Sequence, residues 1–193
     1  MARTKDFDES EILNKAVNLF WHKGYNGTSM QELVDHLGIS RSSLYDTYVD
    51  KRTLYVKALC HYQQNAFKHM GDIVADATSA KEAIKKLLEL MTSDMLIDKQ
   101  HKGCFMVNAE VEVAPHDAEI KDIVRKNEKQ IEKAFQRAIQ NGQDSGEITS
   151  KQDARALARF FLNTAKGIRV SVKSTTDKSV FNDITSTALM VLD

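Results

Sequence analysis

Residues 28–51, TSMQELVDHLGISRSSLYDTYVDK, predict two short helices joined by a tight turn. Thr28 and Gln31 have the spacing of a capping box, in which two side chains satisfy backbone N–H groups at a helix start. Gly38 stands where the chain would leave that helix in a left-handed conformation, and Ser40 is placed to cap the next one. Apolar residues recur at helical spacing within the first helix: Met30, Leu33, Val34 and Leu37. This pattern predicts a helix–turn–helix, which can place its second helix in the major groove of DNA.

The second of these helices has an apolar and a polar side. Leu44 and Tyr48, four residues apart, are expected to pack on the preceding helix. The other side is expected to face solvent or DNA, and it carries Arg41, Ser42, Tyr45 and Asp46. An arginine can donate to guanine, hydroxyls can reach bases or phosphates, and a carboxylate can accept from cytosine. A soluble surface helix is the alternative, but the capped pair and the segment that follows favour DNA binding.

That following segment is expected to begin another helix, capped by Asp50. Lys51 and Arg52 lie in its first turn, where the helix dipole already favours anions. Two cations there suggest a DNA phosphate between them, and a solvated cation pair is the alternative.

The run 12–59, from ILNKAVNLFWHKGYNGTSM to DKRTLYVKAL, resembles the N-terminal DNA-binding domain of the TetR/AcrR family of one-component transcriptional regulators. The resemblance covers the LF..KGY.GTSM, GIS..SLY.TY and DK..LY pieces without a gap. It implies an all-helical homodimer, in most members a repressor, whose C-terminal helices bind a small ligand that releases the operator.

Individual roles follow from the resemblance by position. It implies base-reading roles for Arg41, Ser42, Tyr45 and Asp46. It implies phosphate-binding roles for Thr28, Ser29, Ser43, Tyr48 and Lys51. Many members have glycine where Ser42 stands and histidine or tyrosine at Asp46 and Thr47, so the operator sequence does not carry over from relatives.

Composition is that of a globular protein: 193 residues, 42% hydrophobic and 28% charged. The apolar runs are too short to span a membrane, and MARTKDFDES lacks the apolar core of a signal peptide. Two cysteines in a chain of this size favour a reducing compartment. We therefore expect a cytoplasmic protein with no membrane contact.

Charge is unusual for a DNA-binding protein. Lysine plus arginine equals aspartate plus glutamate at 27 each, and the first 51 residues hold six basic and eight acidic side chains. Such domains usually carry a basic excess. Backbone N–H groups at helix starts can also bind phosphates. We expect weak non-specific binding with a shallow dependence on salt.

The rest of the chain predicts an all-α fold of about nine helices, because no β-like alternation interrupts it. A headpiece, residues 1–49, would hold the helix–turn–helix, and residues 50–193 would form a ligand-binding and dimerisation body. The predicted helices are 10–23, 28–37, 40–48, 50–70, 79–97, 104–113, 117–141, 150–172 with a capping box at Ser150–Asp153, and a last one that begins at 176 or 177 and ends near 192.

The last two helices predict a homodimer. Apolar residues occupy more than half the circumference of the helix near 152–172, so it needs cover on two sides. A four-helix bundle formed by 152–172 and 177–192 of two subunits would supply it. The alternative is a helix sandwiched inside one subunit. A dimer would also present two reading helices about 34 Å apart to a palindrome.

The body is also expected to hold a pocket for a small apolar or electrophilic ligand. Methionines suit varied apolar guests, although a filled core is the alternative and the family resemblance is what favours a pocket. The candidate ligand-binding residues are Phe67, Met70, Met91, Met95, Cys104, Phe105 and Asn108.

Cys104 is a candidate sensing thiol. It follows Gly103 at a predicted helix start beside Lys102, a setting that favours a reactive thiolate. The segment GCFMVNAE resembles one from a family branch that includes electrophile and oxidant sensors. The alternative is a small buried hydrophobic residue. His101 and Cys104 would be only half of a zinc site, so no metal is expected.

The expected function is a ligand-responsive, DNA-binding repressor. No phosphate loop, nucleophile elbow or metalloprotease motif is present in the sequence, so neither enzymatic activity nor a cofactor is expected. The alternative is a small-molecule-binding or thiol-reactive (Cys104) helical dimer without DNA control.

Overall fold

The computed structural model describes residues 7–97 and 100–193, without the side chains of residues 68, 69, 71, 74, 75 and 92–97. Over this part of the chain the predicted all-α fold is confirmed. The helices are α1 Glu9–Lys23, α2 Met30–Leu37, α3 Arg41–Tyr48, α4 Lys51–Ala75, α5 Ala80–Ile97, α6 Phe105–Glu112, α7 Ala118–Ser145, α8 Ala154–Ser171 and α9 Lys178–Leu189, and a 3₁₀ turn follows at Met190–Leu192. No helix in the described ranges is both long enough and apolar enough to cross a bilayer.

The capping box of α2 lies one residue later than predicted. Ser29 accepts from the backbone N–H of Glu32, whose carboxylate accepts from the N–H of Ser29. Thr28 is instead buried, and its hydroxyl donates to the carbonyl of Gly24 at 2.7 Å. The prediction of a Thr28–Gln31 box was therefore wrong. A carboxylate at Glu32 suits the positive end of a helix better than the neutral amide of Gln31.

The turn and the start of α3 follow the prediction. Gly38 has φ 69° and ψ 27°, a left-handed conformation that costs glycine no Cβ clash. Ser40 accepts from the N–H of Ser43 at 3.1 Å and so caps α3. Leu44 and Tyr48 are both fully buried. Burying a leucine side chain contributes about 1.5–3 kcal/mol, so this apolar side holds the short helix in place.

Two predicted helix ends are too early. α4 runs to Ala75 rather than ending near Met70, and α7 runs to Ser145, where Gly146 forms the left-handed cap. Gly142, the predicted end of α7, is buried inside the helix. A Cβ there would lie 2.5 Å from Ile148 Cδ1 and 2.7 Å from Ala80 Cβ. Close packing, and not a turn, explains this glycine.

The buried side chains form two clusters. One contains residues of α1–α4, of α6 and of the first turns of α7, together with Ile168 of α8 and Phe181 of α9. The other lies among α5, α7, α8 and α9 and includes Met70 of α4. Phe20 of α1, Tyr55 of α4 and Phe105 of α6 meet in the first cluster, with ring centroids 5.0 and 5.4 Å apart along that series. The headpiece therefore packs directly on the body, and the division of the chain at residue 50 stays a prediction.

Candidate DNA-binding surface and ligand cavity

One side of α3 is exposed and polar. Arg41, Ser42, Tyr45 and Asp46 all lie on it, and we call these four residues the reading face. The guanidinium carbon of Arg41 lies 5.9 Å from the centroid of the Tyr45 ring, so the two side chains lie against each other along the helix. Their functional groups point away from the packed side of α3. The reading face can therefore approach an external partner, and its base-reading role stays a prediction.

Serine hydroxyls cluster at the start of α3. The Ser40 hydroxyl lies 2.9 Å from that of Ser42 and 2.8 Å from that of Ser43. Ser29, at the start of α2, is also exposed but shares its hydroxyl with Glu32 in the capping box. These hydroxyls and the free N–H groups at the two helix starts could bind phosphates, as predicted for Ser29 and Ser43.

Two of the predicted phosphate-binding residues are buried. Tyr48 is 0% exposed, and its hydroxyl has no hydrogen-bond partner among the described residues. Thr28 is 1% exposed, and its hydroxyl is already bonded to a carbonyl. The structure therefore contradicts these two assignments. Their hydroxyls point inward because each residue lies on the packed side of the headpiece.

Lys51 and Arg52 both have hydrogen-bond partners within the protein, and those of Arg52 are carboxylates. The Lys51 ammonium donates to the carbonyls of Tyr25 at 3.0 Å and Thr28 at 2.9 Å. Arg52 donates to both oxygens of Asp117, at 2.6 and 2.9 Å, and to Glu119. The predicted phosphate between the two cations is therefore unnecessary. The phosphate-binding role of Lys51 is weakened, since its ammonium holds the turn before α2.

The Arg52–Asp117 pair joins the start of α4 to the start of α7. Hydrogen bonds from the Arg52 guanidinium hold the pKa of Asp117 below its ordinary value. Asp117 also caps α7 by accepting from two backbone N–H groups. One carboxylate therefore fixes a helix start and an interhelical contact.

Two further contacts attach the headpiece to α6. The Glu112 carboxylate accepts from the backbone N–H groups of Tyr25 at 3.0 Å and Asn26 at 2.8 Å. The indole N–H of Trp21 donates to the carbonyl of Gly103 at 3.1 Å. A displacement of the segment 103–112 would therefore be transmitted to α1 and to the loop before α2.

A cavity of about 480 Å³ lies at this junction. Helices α1, α4, α5, α6, α7 and α8 and the loop before α6 all contribute to its wall. Four predicted ligand-binding residues line it: Phe67, Met70, Met91 and Cys104. So do residues that were not predicted, among them Trp21, Asn127 and Arg169. The cavity thus reaches from the body into α1 of the headpiece.

Two other predicted ligand-binding residues, Phe105 and Asn108, do not line the cavity. Phe105 is buried among aromatic rings, with its centroid 5.7 Å from that of Tyr62. The amide of Asn108 donates to the carbonyl of Lys102 at 2.9 Å and so holds the loop before α6. A ligand-binding role for Phe105 and Asn108 therefore finds no support in this cavity. The side chain of Met95 lies outside the described residues.

The Cys104 thiol faces the cavity and not bulk solvent. Cys104 is 1% exposed, and its sulfur lies 3.2 Å from a guanidinium nitrogen of Arg169 and 3.8 Å from the Tyr62 hydroxyl. Only a molecule inside the cavity could reach it. Its role as a sensor stays a prediction. No cluster of metal-ligating side chains occurs in the described ranges.

Apolar side chains on α8 and after α9 lack cover in the single chain. Phe160 is 43% exposed, Val170 is 51% exposed and Met190 is 68% exposed. Gly167, on the same side of α8, has open space where a Cβ would stand. This surface is the one from which the sequence predicts the dimer.

Asn127 could have been found from the sequence. It lies between Val124 and Ile131 on the buried stripe of α7, where an apolar residue is expected. A polar side chain at such a position needs a partner or a functional reason. Arg169 could not have been found in this way. It follows Ile168 on α8 at a position that is only partly buried, so it does not interrupt an apolar stripe.

Comparison with known families matches both parts of the chain. Residues 12–58 match the family described as "Bacterial regulatory proteins, tetR family", and residues 80–187 match "Tetracyclin repressor-like, C-terminal domain". The chain is 34% identical to the uncharacterized HTH-type transcriptional regulator YezE of Bacillus subtilis (strain 168), over 100% of both chains. It is 27% identical to the HTH-type transcriptional repressor ComR of Escherichia coli (strain K12), over 97% of this chain and 90% of ComR.

A solved structure also resembles the chain closely. It is a cysteine mutant of the TetR family transcriptional regulator CifR, complexed with 26-bp double-strand operator DNA. It superposes with a TM-score of 0.85 at 26% identity, and the match covers 97% of this chain and 98% of that one.

Proposed function

This chain belongs to the TetR family of bacterial regulatory proteins, and on that premise we propose that it is a ligand-responsive repressor that binds a palindromic operator as a homodimer. As a family member it is a helix–turn–helix transcriptional regulator, and the all-α body that follows the headpiece agrees with that assignment. The exposed reading face of α3 is the observation that carries the proposal. The action as a repressor is supported by the names of relatives such as ComR.

Arg41 is the cation of the reading face and the residue to test. It is the only lysine or arginine in α3, and its guanidinium has the donor geometry that suits guanine O6 and N7. We expect Arg41→Ala to cost about 1–3 kcal/mol on the operator and to relax preference at one base position. Arg125→Ala is the matched control, since Arg125 is an exposed arginine on α7, away from the reading face.

The measurement is gel retardation of the DNA upstream of the gene, at low and moderate salt. Equal loss of affinity on cognate and scrambled DNA for Arg41→Ala would contradict its base-reading role. The absence of any retarded fragment at low salt would favour the alternative, a small-molecule-binding or thiol-reactive helical dimer without DNA control.

The position of the cavity supports control of DNA binding by a ligand. Trp21 belongs to α1 of the headpiece, yet it lines the cavity and donates to the carbonyl of Gly103. A ligand that fits only one arrangement of this wall would favour that arrangement. Because Glu112 holds the loop before α2, a shift of α6 would change the orientation of α3. The two reading faces of a dimer would then no longer match one operator.

The thiol of Cys104 supports a second proposal, in which a ligand in the same cavity binds covalently to the sulfur. An electron-poor alkene inside it could react with the sulfur, which forms a C–S bond as the C=C π bond breaks and the thiol proton moves to the adjacent carbon. Release of DNA by such an alkene from wild type, but not from Cys104→Ser, would support this route. Release from both proteins would rule it out.

The proposal also covers where the protein acts and what happens to its ligand. A regulator of this family has its DNA partner in the cytoplasm, which is where we propose that the protein acts. We also propose that the cavity binds its ligand without transforming it.

A further inference from the structure

The lysine and arginine side chains in the cavity wall are not accompanied there by a carboxylate from the described residues. Arg169 and Lys102 both contribute to the lining, and Lys102 lies with its ammonium 4.9 Å from the Trp21 ring centroid. No aspartate or glutamate is found in the lining within the described part of the chain. The electrostatic potential of such a wall favours a guest of negative charge.

Arg169 is a half-buried cation with unfilled donors. Its Nε donates to the carbonyl of Met91 at 2.8 Å and its Nη1 to the sulfur of Cys104 at 3.2 Å. No carboxylate of the described residues forms an ion pair with it, and its Nη2 has no protein acceptor among them. An anion in the cavity would therefore gain a charge-assisted hydrogen bond from this guanidinium.

Asn127 adds a second polar group to the same wall. It is 8% exposed and lines the cavity from α7, and its side-chain amide forms no hydrogen bond with a described side chain. Its amide atoms are not among the fully buried polar atoms that lack a partner, so they are open to the cavity. Its N–H groups can donate to a carboxylate oxygen.

The remaining wall is apolar and suits a hydrocarbon. Phe67, Met70, Met91 and the ring of Trp21 line it. Methionine side chains adapt to guests of varied shape.

From these observations we infer that the ligand is a small organic carboxylate, whose charged group is bound by Arg169 and Asn127 and whose hydrocarbon part packs against Trp21 and the methionines. The inference rests on the proposed function, since it names the chemical class of the ligand in the same cavity. It also explains why Asn127 interrupts the buried stripe of α7 and shares a cavity wall with a cation from α8.

The test compares carboxylates with uncharged isosteres. The probes are octanoate and 4-phenylbutyrate, each against its primary amide. Binding is read from the fluorescence of Trp21, the single tryptophan of the chain, which lines the cavity. We expect each carboxylate to bind at least about tenfold more tightly than its amide, because hydrogen bonds to a charged acceptor are the stronger ones.

Variants then assign the preference to residues. Arg169→Met should abolish the preference for carboxylate over amide. Asn127→Asp should reverse this preference by placing a like charge beside the carboxylate. Arg125→Met, an exposed arginine on α7, is the matched control and should keep it. Thermal melting checks that each variant is folded. Asn127→Asp needs no cavity-lining cation to be removed, so it keeps the test decisive if Arg169→Met does not fold.

Three results would overturn the inference: equal affinity for carboxylate and amide, a preference that survives in Arg169→Met, or no response of Trp21 to any of the four probes at millimolar concentration. Gel retardation without probes, on the same preparation, separates this failure from that of the proposed function. DNA binding without carboxylate preference rejects the ligand class alone. Carboxylate preference without DNA binding rejects DNA control and leaves the ligand class standing.

Discussion

Tyr48→Phe is expected to stabilise the protein and to leave its DNA binding unchanged. The Tyr48 side chain is 0% exposed, and its hydroxyl is the one buried side-chain oxygen or nitrogen that lacks a hydrogen-bond partner in the described ranges. Phenylalanine would keep the ring in the headpiece core. It would also keep the contact with Lys57, whose ammonium lies 5.0 Å from the ring centroid.

The size of the effect follows from the unpaired hydroxyl. Burying such a group without a hydrogen bond costs about 1–3 kcal/mol, and the loss of one small oxygen leaves little empty space. We expect the free energy of unfolding to rise by about 1–2 kcal/mol. For a chain of this length, each kcal/mol of added stability raises Tm by about 2–4 °C.

Alkaline pH provides a second measure of the same hydroxyl. Burial raises the pKa of Tyr48 to about 12, from an ordinary value of 10.0. The unfolded chain therefore loses this proton first, and the wild type loses stability as the pH rises from 10 towards 12. Phenylalanine has no proton to lose, so the advantage of Tyr48→Phe should widen above pH 10.

The assay is thermal or urea unfolding at one fixed protein concentration, since dimerisation makes stability concentration-dependent. Tyr45→Phe is the matched control, because Tyr45 is exposed on the reading face and its change should alter stability by less than about 0.5 kcal/mol. The reasoning is refuted if Tyr48→Phe is no more stable than wild type. It is also refuted if this variant loses operator affinity at unchanged stability, because the hydroxyl would then reach a phosphate.

Three further predictions concern two contacts between distant segments of the chain and the expected dimer surface. Glu112→Gln should weaken the response of DNA binding to a cavity ligand in gel retardation, because a neutral amide offers the loop before α2 a single acceptor. An unchanged response would show that the contact between Glu112 and this loop does not transmit the effect of the ligand. Asp117→Asn should lower the free energy of unfolding in urea by about 0.5–1 kcal/mol at neutral pH, because the contact of Asp117 with the half-exposed Arg52 is partly screened by solvent. The difference between variant and wild type should vanish as the pH falls through the lowered pKa of Asp117. Val170→Glu should yield monomers in sedimentation that no longer bind the operator. Val111, on α6, is even more exposed than Val170, and Val111→Glu should stay dimeric. Monomers from both variants would show that the effect is not specific to α8.

Local patterns in the sequence were enough for the helices and for the orientation of α3. Ser40 caps α3, Gly38 ends α2, and Leu44 is buried, as their spacing predicts. These features depend on residues within four positions of one another, where the geometry of a helix leaves few alternatives. The exposed positions of Arg41 and Tyr45 follow from the same short-range periodicity.

Contacts between distant residues could not be predicted in this way. Arg52 finds its carboxylates at the start of α7, 65 and 67 residues further along the chain. Asn127 and Arg169 face one cavity only because α7 and α8 pack together. The sequence marked Asn127 as a polar residue in an apolar stripe, but not the cation with which it would share a wall.

Caps, turns and amphipathic stripes thus could be read directly from the amino-acid order, because each depends on neighbours that a helix brings together whatever surrounds it. The partner of each buried polar group could not, because it depends on how whole helices pack. That packing turned the Tyr48 hydroxyl inward, bound Lys51 to two carbonyls and brought Trp21 of the headpiece into the wall of the cavity.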